Sequence, residues 1–260
     1  MGPVLVLGMH RSGTSLVARA VAEAGLYAGR GGDMLAAQAD NPLGFYERRD
    51  LVDANEALLA SAGASWFDPP GEPLAPTDLD AGAGPAAAAV IATLEGQAES
   101  GRGTFLKDPR LCLTWPVWAG PASVVLYVYR NPLAVADSLR RRNAFPLAYG
   151  LALWEHYNRC AIAALEGRPH ACVSYDRIAA DPGELERLLG RLAELGLAVD
   201  VQLPEELFEA SLRHGARAAD FDAADRAVQT YEQTLLAEYC DALCAGGPLG
   251  PLPAASPSLQ

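Results

Sequence analysis

The stretch that decides the fold reads VLVLGMHRSGTSLV and spans residues 4–17. Its apolar beginning predicts a short buried strand over residues 3–8, and the apolar spacing that follows predicts a helix over 14–24. Gly8 and Gly13 lie between these elements with four residues separating them. A strand, a glycine-rich loop and a helix in this order are typical of a phosphate-binding loop, where main-chain N–H groups and the helix N-terminus face an anion.

The loop departs from the nucleotide triphosphatase pattern in the position of its positive charge. The pattern G-x-x-x-x-G-K-[ST] places a lysine directly after the second glycine. Thr14 stands there in this chain, Ser15 keeps the last position, and the cation is Arg11. Main-chain N–H groups from Arg11 to Ser15 can still bind an anion. The sequence therefore predicts an anion-binding loop in which the residues around the outer end of the ligand differ from those of a triphosphate site.

Beyond the loop, strands alternate with helices. Apolar runs predict further strands in TFLKDPR (104–110), SVVLYVYR (123–130) and HACVSY (170–175), and helices at about 47–62, 86–99, 131–143, 147–166, 181–196 and 224–245. This alternation predicts an α/β fold of the P-loop-containing nucleotide-binding type, with a central parallel β-sheet flanked by helices. We expect a single domain over residues 1–245, a long surface loop or lid at 63–85, and a flexible C-terminal tail at 246–260.

Composition limits the classes of partner. A net charge of -12 and a pI near 4.7 argue against a generic nucleic-acid binder, so an anionic ligand needs a local basic site. The five cysteines form no C-x-x-C pair, which favours reduced thiols in the cytoplasm and no metal site. Neither a signal peptide nor a membrane-spanning run is found, and we expect a cytoplasmic protein with no membrane partner. The oligomeric state stays open.

Charged residues follow three of the predicted strands. Because parallel strands end at the same edge of a sheet, Arg11, Lys107, Arg110 and Arg130 should converge on one crevice. Four cations in an acidic protein favour a ligand with several phosphate-like groups. Ser138 follows Arg130 by eight residues and, about two turns into the next helix, can reach the same phosphate.

Three segments together resemble a known family: GMHRSGTS (8–15), KDPR (107–110) and YRNPLAVADSL (129–139). They look like the sulfotransferases that use 3′-phosphoadenosine-5′-phosphosulfate (PAPS), in a bacterial form, and the likeness runs over roughly residues 3–180. It implies that the loop holds the 5′-phosphosulfate and that an Arg and a Ser hold the 3′-phosphate. Carried over by position, the residues implied to bind the donor are His10, Arg11, Ser12, Gly13, Thr14, Ser15, Arg130 and Ser138. A late basic loop is common in the family, and SLRHGAR (211–217) would supply Arg213 and Arg217.

The resemblance also implies a reaction. The acceptor hydroxyl attacks sulfur in line with the departing phosphate, and Arg11 with the loop N–H groups stabilises the charge on the bridging oxygen. No metal is required in principle. We place Lys107 and Asp108 with Arg11 in the catalytic group. Glu47 is the first choice for the base that takes the hydroxyl proton, and Asp108, His10 and His156 are alternatives.

Two other functions remain open at this stage. A P-loop kinase or nucleotide hydrolase would require a loop lysine and an acidic magnesium ligand, for which Asp108 is the available strand-end acid. A non-catalytic nucleotide-binding module would keep the fold without turnover. For the sulfotransferase we expect a small-molecule or carbohydrate acceptor, bound by loops at 28–46, 63–85 and 144–160. The Ala- and Arg-rich composition suggests a bacterial enzyme of secondary metabolism.

Overall fold

A four-stranded parallel sheet forms the centre of the molecule. The computed structural model describes residues 2–36, 44–78, 83–99, 101–120, 123–204 and 220–257. The strands are β1 (Val4–Leu7), β2 (Phe105–Lys107), β3 (Val125–Tyr129) and β4 (His170–Ser174), in the spatial order β2-β1-β3-β4. All three pairings are parallel. The predicted α/β fold with a parallel central sheet is confirmed.

Helices connect and cover the strands. The described helices are α1 (Thr14–Glu23), α2 (Arg49–Ser61), α3 (Ala83–Gln97), α4 (Leu111–Trp118), α5 (Pro132–Asn143), α6 (Leu147–Ala163), α7 (Tyr175–Ala180), α8 (Gly183–Glu194), α9 (Ala223–Ala227) and α10 (Tyr231–Cys244). Helices α4 and α7 were not expected from the sequence. The single closing helix predicted at 224–245 is wrong, because Thr230 caps a new helix in a reciprocal capping box with Gln233.

Each face of the sheet packs against its own set of helices. On one face, Leu5, Leu7 and Tyr127 pack with residues of α2, α3, α4, α6 and α10. On the other face, Val4 and Val6 pack with residues of α1 and α8. The two central strands are fully buried, as expected for parallel strands covered on both sides. This packing fixes the carboxyl ends of β1, β2 and β3 beside one another.

The segment after α10 lies against α6. Arg159 donates to the carbonyl oxygens of Pro253 and Ala254. Ser256 is buried and donates from its hydroxyl to Glu155 Oε2 at 2.5 Å. The domain limit at 245, the lid at 63–85 and the flexibility of the tail stay predictions. Among the described residues, no helix has both the length and the apolar character needed to cross a membrane.

Candidate functional site

The loop between β1 and α1 is shaped by close packing. A side chain at Gly8 would place Cβ 2.6 Å from the carbonyl oxygen of Val128, so only glycine fits where β1 ends against β3. At Gly13 a Cβ would lie 2.1 Å from the Tyr175 ring, and its φ of 85° is left-handed. Arg11 is also left-handed, with a φ of 69°. A non-glycine residue in this conformation is strained, which is a feature of functional loops.

The N-terminus of α1 is open to an anion. No side chain caps the helix at Gly13, and its first turn contains no acidic residue. The N–H groups of that turn and the helix dipole therefore present positive charge to the loop. Ser12 is buried, and among the described residues nothing pairs with its Oγ. A buried hydroxyl without a partner is costly, so this atom indicates a ligand contact.

Arg11, Arg130 and Ser138 lie together at one side of the loop. Arg11 Nε donates to Ser138 Oγ at 2.9 Å, across 127 residues of sequence. Arg130 Nη1 donates to the carbonyl oxygen of Arg11 at 2.9 Å. The Arg130 guanidinium also stacks over the Tyr175 ring, 4.6 Å from its centroid. These contacts join the loop, the end of β3, helix α5 and the end of β4.

Two interactions hold the segment that leaves β3. The Asn131 side chain caps α5 by accepting from the main-chain N–H of Ala134. The main-chain N–H of Asn131 donates to the Asp176 carboxylate at 2.7 Å. Asp176 is the second residue of α7, which directly follows β4, so this hydrogen bond joins the ends of β3 and β4. Arg130 is therefore fixed in a buried position, where burial lowers its pKa from the ordinary value.

The end of β2 brings a lysine to the opposite side of the loop. Lys107 Nζ donates to Ser15 Oγ at 3.2 Å and to Glu47 Oε1 at 2.5 Å. Both members of the ion pair are buried. Burial raises the pKa of Glu47 above its ordinary value, and the attraction of Lys107 opposes part of that rise.

The backbone before α2 aims Glu47 at the crevice. Tyr46 has a left-handed φ of 56°, which turns the chain immediately before Glu47. The next residue, Arg48, is buried and pairs with Asp50 and Gln97. Helix α2 begins only at Arg49, two residues later than the sequence predicts.

Asp108 is held by protein groups on both oxygens. Asn55 Nδ2 donates to one oxygen at 2.9 Å, and Arg110 donates to the other from Nη1 at 3.0 Å and from its main-chain N–H. Asn55 is oriented in turn by Thr114 and by the indole N–H of Trp118. Asp108 thus accepts hydrogen bonds on both oxygens and holds Arg110 in place.

His10 contacts two aromatic rings. Its ring lies 4.7 Å from that of Trp66 and 5.9 Å from that of Tyr157, measured between centroids. The Tyr157 hydroxyl donates to the carbonyl oxygen of Trp66 at 2.7 Å and so fixes the two rings relative to each other. Burial lowers the pKa of His10 well below the ordinary histidine value, and nearby cations lower it further. His10 is therefore neutral near pH 7.

The structure brings together most of the residues predicted for the site. The loop residues His10–Ser15, together with Glu47, Lys107, Asp108, Arg130 and Ser138, surround the carboxyl ends of β1, β2 and β3. His156 lies elsewhere, on α6 beside Cys160, with its Nε2 at 3.6 Å from Sγ. Arg213 and Arg217 lie outside the described residues. Within the described part of the chain, no group of His, Cys, Asp and Glu could hold a metal ion.

Sequence reasoning missed the residues that support the site. Tyr175 follows β4 directly, so the rule that found the other strand-end clusters could have found it. Asn55 lies within α2, and Trp66 in the long loop after it. No pattern in the sequence marks either residue, because their partners are distant in the chain.

Comparisons with known proteins give one similar solved structure and no family match. No protein-family model matches the chain, and no curated protein matches it. Among solved structures, the sulfotransferase domain from the Synechococcus PCC 7002 olefin synthase is similar. It is 19% identical, the match covers 80% of each chain, and the TM-score is 0.44. At these values the likeness does not by itself assign this chain to a family or a function.

Proposed function

We propose that the protein transfers a sulfuryl group from PAPS to a hydroxyl group of a small-molecule or carbohydrate acceptor. The proposal rests on the residues of the crevice and on their resemblance to the PAPS-dependent sulfotransferases. The loop between β1 and α1 would bind the 5′-phosphosulfate, and Arg130 with Ser138 would bind the 3′-phosphate.

The position of Lys107 is the observation that carries the proposal. In triphosphate-binding loops the Ser or Thr hydroxyl at the start of the helix binds Mg²⁺. Here the equivalent hydroxyl, that of Ser15, accepts from the Lys107 ammonium group at 3.2 Å. A fixed ammonium at this point repels a divalent cation, so the loop suits an anion that arrives without magnesium. This favours a sulfuryl donor over a magnesium-bound triphosphate.

The polar groups around the loop fit a donor with anionic groups at two positions. Ser12 Oγ and the open N-terminus of α1 provide donors at the loop itself. Arg130 and Ser138 provide a second, adjacent group of donors, linked to the loop through Arg11. PAPS carries a 5′-phosphosulfate and a 3′-phosphate, and each would meet one of these groups.

The proposed reaction is an in-line displacement at sulfur. The acceptor oxygen forms a bond to sulfur, the bond from sulfur to the bridging oxygen breaks, and its electron pair goes to the departing phosphate. Arg11 and the loop N–H groups stabilise the charge that develops on the bridging oxygen. Lys107, fixed by Glu47, adds positive charge from the opposite side of the loop, next to Ser15.

Binding and turnover together test the proposal. Calorimetry should show tight binding of 3′-phosphoadenosine-5′-phosphate and much weaker binding of ATP with magnesium. Arg130→Ala should weaken bisphosphate binding about 10- to 100-fold, since a charge-assisted hydrogen bond is lost. Arg187→Ala is the matched control, because Arg187 pairs with Asp181 on the exposed side of α8.

The second measurement is the transfer of ³⁵S-labelled sulfuryl from PAPS to a panel of phenols, alcohols and sugars. Labelled product that is lost in Arg11→Ala supports the proposal. Preference for magnesium ATP over the bisphosphate would overturn it. Tight bisphosphate binding without any transfer would instead favour a non-catalytic binding module.

A further inference from the structure

We propose that His10, a residue of the phosphate-binding loop, accepts the proton of the attacking hydroxyl group. The inference rests on the proposed sulfuryl transfer and assigns the one role in that reaction for which the sequence left four candidates. It depends on the hydrogen bonding, packing and charge around the imidazole ring.

The first argument is the hydrogen bonding of the ring. His10 Nε2 is buried, and no described residue pairs with it. A buried nitrogen without a partner is destabilising, so its retention next to the reaction site indicates that a ligand supplies the partner. Two residues further along the loop, Ser12 Oγ is in the same state, so these two unpartnered atoms flank Arg11.

The second argument is that the competing bases are already engaged. Glu47 is in a buried ion pair with Lys107, at 2.5 Å. Asp108 accepts from Asn55 and Arg110 on its two oxygens. His156 is beside Cys160 on α6, and no contact among the described residues places it at the loop. A proton acceptor needs a lone pair that is not already engaged, and among these residues His10 Nε2 is the atom with no partner in the described part of the chain.

The third argument is the orientation of the ring. Trp66 lies against one part of the imidazole at 4.7 Å, and Tyr157 meets it edge-on at 5.9 Å. The hydrogen bond from Tyr157 to the Trp66 carbonyl links these two neighbours. The ring is therefore held in place before any ligand binds, which reduces the cost of reaching the reactive geometry.

The surrounding charges make the proton affinity of His10 depend on whether the anionic sulfuryl donor is bound. The cationic groups that face it come from the loop, the end of β2 and the end of α5: Arg11, Lys107, Arg110 and Arg142. They oppose protonation in the free protein and so keep Nε2 available. Once an anionic donor occupies the crevice, its charge offsets these cations and the imidazolium is better tolerated. His10 thus becomes an effective proton acceptor when the donor is present.

The proton balance of the step is complete. As the acceptor oxygen bonds to sulfur, its O–H bond breaks and the proton moves to His10 Nε2. The electron pair of the broken sulfur–oxygen bond remains on the departing 3′-phosphoadenosine-5′-phosphate. The imidazolium later releases its proton to water, which restores the neutral ring.

Nuclear magnetic resonance of the histidine side chains tests the charge argument. In the free protein, His10 should titrate at lower pH than an ordinary histidine, and saturating 3′-phosphoadenosine-5′-phosphate should move its midpoint to higher pH. His10→Asn identifies the resonance. His170, at the start of β4 with Nδ1 at 2.8 Å from the Arg168 carbonyl oxygen, provides the internal reference resonance. An unchanged midpoint with the bisphosphate bound would overturn the inference.

Kinetics test the catalytic role. With water as acceptor, release of sulfate from PAPS should fall about 100-fold or more in His10→Gln, while the Kd for the bisphosphate changes less than threefold. The wild-type rate should rise along an acidic limb of the pH profile that the variant lacks. His170→Asn should keep the wild-type rate. A rate within threefold of wild type in His10→Gln, with the acidic limb retained, would contradict the role of His10.

These outcomes separate the two proposals. If the bisphosphate fails to bind, the proposed function itself is wrong. If it binds and sulfate is released at equal rates by wild type and His10→Gln, the function stands and the role assigned to His10 is wrong.

Discussion

The two sides of the crevice differ in how their polar atoms are satisfied. At the end of β2, Lys107 pairs with Glu47 and Ser15, and both oxygens of Asp108 have protein partners. Arg110 Nε is the exception on this side, since it is buried and has no partner among the described residues. In the loop after β1, His10 Nε2 and Ser12 Oγ have no partner among the described residues. A polar group that the fold satisfies internally stabilises the fold, whereas one left unsatisfied is available to a ligand. The β2 side is therefore expected to carry stability, and the loop side to carry binding and catalysis.

Lys107→Met should give the largest effect and tests the β2 side. The substitution leaves Glu47 buried without its cation, which should destabilise the protein by about 3–5 kcal/mol at pH 7. Urea unfolding measures this loss. The double variant Lys107→Met, Glu47→Gln removes both charges and should recover at least half of it. Equal stability of the single and double variants would show that the pair does not anchor this side.

Gly13→Ala should be the next largest effect and tests whether the loop backbone is as rigid as the β2 side. The left-handed conformation and the clash of a Cβ with the Tyr175 ring predict a loss of about 2 kcal/mol or more. The control is Gly190→Ala within α8, where a Cβ would meet nothing within 4 Å. That control should gain about 0.5–1 kcal/mol. Similar unfolding midpoints for the two variants would argue against a fixed loop.

Ser12→Ala should separate binding from stability. Because this buried hydroxyl has no partner among the described residues, its removal should not lower the free energy of unfolding and should raise it by up to about 1–3 kcal/mol. Bisphosphate binding should weaken about 5- to 10-fold, as measured by calorimetry. A clear loss of stability with unchanged affinity would assign Ser12 to the scaffold, and the contrast between the two sides would fail.

The smallest expected effect is the pH dependence contributed by Glu47. Its pKa in the folded state is raised by burial, so the folded protein holds this proton more tightly than the unfolded chain does. Relative to Glu47→Gln, wild-type stability should therefore be greatest below pH 4.5 and should fall as the pH rises through the raised pKa. Urea unfolding at a series of pH values measures the difference. A difference that grows with pH would mean that Lys107 outweighs burial.

Much of the fold could be predicted because it depends on local patterns. The apolar runs at 3–8 and 123–130 correspond to β1 and β3, and the glycine spacing located the loop between β1 and α1. The unexpected helix α4 is apolar on all sides and contains Pro116, so it offers no helical periodicity. Helix α7 has only six residues and directly follows a strand. Such elements depend on tertiary packing, which a local pattern does not record.

The candidate site, like the fold, could be predicted from the sequence only in part. Arg11, Lys107 and Arg130 could be placed together because each follows a parallel strand. The contacts that decide their chemistry were not predictable. Examples are the ion pair of Lys107 with Glu47, 60 residues apart, and the packing of Trp66 on His10. Both arise from loops whose path is set by the whole fold and not by neighbouring residues.

The segment after α10 has a practical consequence for work with this protein. Glu155 is fully buried on α6, and Ser256 supplies hydrogen bonds to it from both its hydroxyl and its main-chain N–H. The same helix carries Tyr157, whose ring meets His10. A shortened chain that stops after Cys244 would remove both hydrogen bonds from Ser256 to Glu155, two positions from a contact of the loop. Truncation at the apparent edge of the domain, or a tag fused close to Ser256, is therefore expected to disturb the crevice through helix α6.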